Sequence, residues 1–114
     1  MSAVAVFKGT VINGTVHFKR ENNITRIYID LAGSGLTPNG KQMFLLHEYG
    51  DLRNECENIG KCMVLGILFV DVLGNAKYAT SQPILSNELL GRSLVIYDIH
   101  GKRIACAVIG ISSN

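Results

Sequence analysis

Apolar side chains recur at every second position along most of this chain. Val16 and Phe18 alternate with Thr15, His17 and Lys19; Ile27, Ile29 and Leu31 alternate with Arg26, Tyr28 and Asp30; Ile104, Cys106 and Val108 alternate with Arg103, Ala105 and Ala107. A period of two sends successive side chains to opposite faces, the signature of a half-buried antiparallel strand. Turn signals separate the runs: Asn13-Gly14, Asn22-Asn23, Gly33-Ser34-Gly35, Pro38-Asn39-Gly40, Gly74-Asn75 and His100-Gly101. The spacing predicts eight strands, near 3–10, 14–20, 24–33, 41–48, 63–72, 75–81, 92–98 and 102–110. Short strands spaced this way specify an all-β sandwich or barrel, here one domain over residues 1–114. No stretch carries the capped, amphipathic pattern of a helix, and residues 50–61 and 81–91 read as irregular.

Composition narrows the function classes. With 47% hydrophobic and 18% charged residues the chain can build its own core, and a net charge of +2 selects no class of partner. Lys8, Lys19, Arg20, Lys41, Lys61, Lys77, Arg92 and Lys102 are scattered without a basic run or interleaved aromatics, which argues against nucleic acid. Lys8 interrupts the N-terminal apolar run too early for a signal peptide or membrane span, so a cytosolic or nuclear protein is expected. Cys56, Cys62 and Cys106 allow at most one internal disulfide with one thiol left over, and in a reducing compartment three free thiols.

Four stretches, "AVAVFKGT", "HEYGDLRNEC", "LLGRSLVIYD" and "RIACAVIGIS", resemble the copper–zinc superoxide dismutase family in this order and across nearly the whole chain. The last is the most specific: Arg103, then Cys106, then Val-Ile-Gly-Ile. The resemblance implies an eight-stranded antiparallel Greek-key β-barrel, an immunoglobulin-like sandwich in architecture, which agrees with the independent strand count.

The departures from the family pattern are informative. Its copper site uses four imidazoles, two of them in His-x-His-Glu. In "FLLHEYGD" the second is His47, whereas Leu45 stands at the first. Positions 45 and 47 share a face of one strand, so an apolar side chain points where the metal would lie. Cys62 stands at the bridging-histidine position, Tyr97 at the last copper position and Ile67 at the zinc-binding aspartate. The zinc loop is reduced to Lys61–Leu65 between Gly60 and Gly66, and the charge-steering loop to "DIHG". Redox cycling needs a ligand set that tolerates both copper states, which one His, one Cys and one Tyr do not supply. Neither catalysis nor a metal cofactor is expected.

The retained residues have readings that do not need copper. His47 reads as a buried imidazole bonded to the Tyr97 hydroxyl or to backbone, and Cys62 as a small core residue. The alternative is a rewired copper-binding or redox site of His47, Cys62 and Tyr97. Arg103 matches the arginine that guides superoxide, yet in the family it also binds backbone carbonyls of the disulfide loop, here about Cys56 to Gly60. Cys56 and Cys106 match the family's disulfide pair.

Val4, Val6, Gly50, Asp51, Leu52, Leu90, Gly91, Val108, Ile109, Gly110 and Ile111 match positions of its two-fold dimer contact. The pattern is similar to the short, metal-site-deficient dismutase-like proteins of poxviruses. It implies a non-catalytic module in the cytoplasm of a host cell or in the virion. Such a module self-associates or docks on a dismutase-like partner, such as the copper chaperone for superoxide dismutase, as a decoy. A copper chaperone itself would need an M-x-C-x-x-C head or a C-x-C tail, and neither motif occurs.

Overall fold

The computed structural model describes residues 2–83 and 88–113, with the side chains of residues 55 and 63–65 outside the description. All eight expected strands form: β1 (Ser2–Phe7), β2 (Asn13–Glu21), β3 (Ile24–Ala32), β4 (Lys41–His47), β5 (Cys62–Phe69), β6 (Ala76–Gln82), β7 (Ser93–Tyr97) and β8 (Arg103–Ile111). A single helical turn, α1 (Arg53–Cys56), lies in the stretch expected to be irregular. Of the second irregular stretch, residues 84–87 lie outside the described residues.

The strands pair in the order β5-β4-β7-β8-β1-β2-β3-β6, every pairing antiparallel. β8 joins the two halves, pairing with β7 from Arg103 to Val108 and with β1 from Ile109 to Ile111. The sheet curls on itself into a nearly closed barrel around Phe18, Ile29, Leu31, Leu68, Leu94, Ile96 and Ile109. Tight approaches need residues that tolerate them: a Cβ on Gly14, at φ +121°, would meet the Asp30 carbonyl oxygen at 2.0 Å. Asn22 and Asn39 take the left-handed conformation in their turns.

β4 and β7 depart from simple alternation. Every residue of β7 is buried, and so is every residue of β4 from Phe44 to His47. Phe44, Leu46, Leu94 and Ile96 belong to the barrel core, while Leu45, Val95 and Tyr97 join a second cluster with Ile59. Here a second layer lies on the sheet, which accounts for the unbroken apolar run "SLVIY".

Two placements correct the sequence reading. In the second half of β8 the inward residues are Ala107 and Ile109, with Val108 exposed, because the strand's outer face is apolar as well. Ile109 is 0% exposed and therefore lies in the core, contributing only backbone to any docking surface. Cys62 is an exposed free thiol rather than a core residue, since it sits where β5 begins and the covering layer ends.

Candidate functional site: a filled metal position

The site occupies the outer face of β4 and β7. His47 pairs with Ser93 and Leu45 with Val95 across the ladder, which sets these four side chains on one face with Tyr97. The segment from Glu48 to Lys61 folds over them. The Glu48 amide donates to the Lys61 carbonyl (3.1 Å), the Tyr49 amide to the Ile59 carbonyl (2.8 Å), and the Lys61 amide to the Glu48 carboxylate (2.8 Å). Ile59, 0% exposed, is driven down onto Leu45, Val95 and Tyr97.

Two further ties hold this cover in place. A disulfide joins Cys56 to Cys106 of β8, and both residues pack against the second cluster. The Arg103 guanidinium donates to the Cys56 carbonyl (2.9 Å), the structural contact expected of this arginine.

His47 is 3% exposed and uses both ring nitrogens. Its Nδ1 lies 3.1 Å from the Gly60 carbonyl, which can only accept, so the proton sits on Nδ1. Nε2 is then the acceptor, and the Tyr97 hydroxyl donates to it at 2.9 Å. The rings lie nearly parallel, 28° apart with centroids separated by 6.4 Å.

Gln42, which sequence reasoning passed over, anchors the far end of the site. Buried inside β4, its amide nitrogen donates to the carbonyls of Gly35 (3.0 Å) and Tyr97 (2.9 Å), and its oxygen accepts from the Thr37 amide (2.8 Å). A glutamine on the strand face it shares with Phe44 and Leu46 was the available signal, because a buried amide must find partners.

This donor set does not fit copper or zinc. Leu45 and Val95 offer no lone pair, and His47 has none free. Ser93, buried and without a partner among the described residues, offers only a hydroxyl. No group of three or more His, Cys, Asp or Glu side chains that could hold a metal comes together among the described residues. Ile67, at the zinc-aspartate position, faces solvent. Cys62 pairs with His47 across a bulge in the β4–β5 ladder, and its side chain is exposed.

Of the residues matched to a dimer contact, Val6, Leu52, Val108 and Ile111 are exposed apolar side chains. Val4 lies directly opposite Gly110 on the neighbouring strand, and a Cβ on Gly50 would touch Val108. Strands β1 and β8 and the start of the covering segment thus share one surface.

No protein-family model matches the sequence. The chain is 32% identical over 153 aligned residues to the copper–zinc superoxide dismutase of Paramecium bursaria Chlorella virus 1, spanning 100% of this chain and 80% of the relative. It is 34% identical over 129 residues to a chloroplastic copper chaperone for superoxide dismutase of Oryza sativa subsp. japonica, covering 99% of this chain but 41% of that protein. It is also 40% identical over 60 residues to copper–zinc superoxide dismutase 4 of Dictyostelium discoideum, covering 53% of this chain and 39% of the relative. Likeness that runs the full length of the chain, on an eight-stranded antiparallel barrel whose covering segment is tied by Cys56 and Cys106, means that this chain belongs to the copper–zinc superoxide dismutase family.

Proposed function

We propose that the protein is a catalytically inactive member of this family that acts by binding another protein through the β1–β8 surface. The supporting observation is the state of His47: the Tyr97 hydroxyl occupies its Nε2, the Gly60 carbonyl its Nδ1–H, and Leu45, Val95 and Ile59 fill the surrounding space. A metal would have to displace the tyrosine and would find, beside His47, only aliphatic side chains and the neutral Ser93 hydroxyl. The opposite situation holds on the β1–β8 surface, where Val6 and Val108 are exposed on the strand face that carries Gly110. Small and branched apolar residues of this kind form self-complementary two-fold contacts. The partner is a second copy or a dismutase-fold domain such as that of the copper chaperone, for which the chain acts as a decoy.

The test is native mass spectrometry of the oxidised protein incubated with copper and zinc, alone and with the chaperone. A metal-free dimer or heterodimer that Gly110→Arg converts to monomer is the expected result. A second reading, a copper-binding or redox protein using His47, Cys62 and Tyr97, draws on the exposed thiol at the ladder position opposite His47. Stoichiometric copper that disappears on Cys62→Ser would replace the first reading with this one.

A further inference from the structure

The barrel has one seam. β5 and β6 end the strand order on opposite sides, so each presents an edge that no neighbouring strand among the described residues pairs. They are consecutive in sequence and joined by a tight turn, in which the Asp71 amide donates to the Asn75 carbonyl (2.8 Å) and the Asp71 carboxylate accepts from the amides of Leu73 and Asn75. Yet beyond that turn they form no ladder.

Tyr78 of β6 spans the gap. Its ring packs against the barrel core, and its hydroxyl accepts from the Phe69 amide of β5 (3.0 Å) while lying 3.4 Å from the Ile67 carbonyl, to which it donates. Those two groups are the donor and acceptor that an added antiparallel strand would use. One hydroxyl, able to donate and accept at once, occupies both. The Phe69 ring stands edge-on to Tyr78, with centroids 6.3 Å apart, and the Lys41 ammonium lies over the Phe69 ring, 6.0 Å from its centroid.

We infer that Tyr78 caps the edge of β5 and that, without this cap, the edge would pair with β5 of a second copy of this chain. The occupant follows from the composition of the strand. β5, "CMVLGILF", contains no charge and no proline, so an antiparallel pair of two such strands meets no like-charge repulsion. Ile67 and Phe69 already stand exposed beside that edge, at 42% and 52%. An uncapped apolar edge of this kind recruits a strand, and natural proteins block it with side chains. The capped edge lies on β5, away from the β1–β8 patch, and does not depend on it. Pairing at an uncapped β5 edge together with the β1–β8 contact would build open chains rather than closed dimers, which gives the cap its use.

The experiment compares Gly110→Arg with the Tyr78→Phe/Gly110→Arg double variant by sedimentation velocity over a concentration series. The phenyl ring keeps the packing and loses only the hydroxyl. The expected result is a mass at least double that of Gly110→Arg at the same concentration, reversed by adding Ile67→Lys. Equal masses for the two variants across the series, or an association that Ile67→Lys leaves unchanged, would overturn the inference. The comparison is between variants, so whether Gly110→Arg alone is monomeric bears only on the proposed function. Amide exchange gives a second reading that needs no variant: the Phe69 amide of the wild-type protein should exchange about tenfold slower than an unbonded edge amide. Exchange at the unbonded rate would remove the cap itself.

Discussion

The Tyr97 hydroxyl lies 2.9 Å from Nε2 of His47, from a strand position fifty residues further along the chain, and completes the hydrogen bonding of an imidazole that is 3% exposed. Tyr97→Phe removes the donor and leaves Nε2 buried and unpaired. Such an orphaned acceptor costs about 1–3 kcal/mol, which urea unfolding would register as a lower midpoint at unchanged slope. Long-range nitrogen NMR of the wild-type protein should show the proton on Nδ1 of His47. A proton on Nε2 would mean that the Gly60 contact is wrongly assigned.

Ile109 and Gly110 are neighbours with opposite fates. Ile109 is fully buried, whereas a Cβ on Gly110 would meet nothing within 4 Å. Ile109→Asp should therefore unfold the protomer, by about 4 kcal/mol or more for a carboxylate forced into the core. Gly110→Arg should leave the unfolding midpoint nearly unchanged and act only on association. Equal effects of the two substitutions on thermal stability would contradict the placement of β8.

The disulfide closes a loop with a sequence separation of 50 and anchors the segment that holds Ile59 and Gly60 over the site. In a Cys62→Ser background, which prevents scrambling, Cys106→Ser should cost about 4 kcal/mol by loop entropy alone. Loss of the tie should also expose the His47 ring, read as faster exchange of its Nδ1 proton. Retention of full stability in the variant would show that the Arg103 contact and the backbone bonds suffice.

Asp51 sits at the edge of the β1–β8 surface, where Arg53 grips it twice: Nε donates to Oδ1 at 2.9 Å and Nη2 to Oδ2 at 2.6 Å. These bonds, with one from the Arg53 amide, lower its pKa from 3.8 to about 2. The folded state thus binds this proton more weakly than the unfolded chain does. The stabilisation is complete above the ordinary aspartate range and is lost as pH falls through about 2. Carboxyl carbon NMR should place the midpoint of Asp51 there, and Arg53→Ala should return it to the ordinary range. A wild-type midpoint near 4 would sink the assignment.

The sequence by itself determined the strands. The period-two pattern of β2 and β3 and the Asn-Gly and Gly-Asn turns are local signals, and each strand formed where they placed it. The resemblance in "RIACAVIGIS" reached further, to the pairing of Cys56 with Cys106 and the contact of Arg103 with the disulfide segment. Tertiary structure decided the rest. Alternation cannot say which of two apolar faces turns inward, so Ile109, read as part of the docking surface beside Val108, turned into the core while Val108 stayed exposed. Likewise, whether Cys62 is core or surface depends on how far the covering segment extends along β5. Gln42 and Tyr78 bond to groups far away on other strands or across the seam, and only the closing of the sheet brings those partners within reach. Burial and hydrogen bonding between distant residues are properties of the assembled barrel, because each requires surfaces that no single strand possesses.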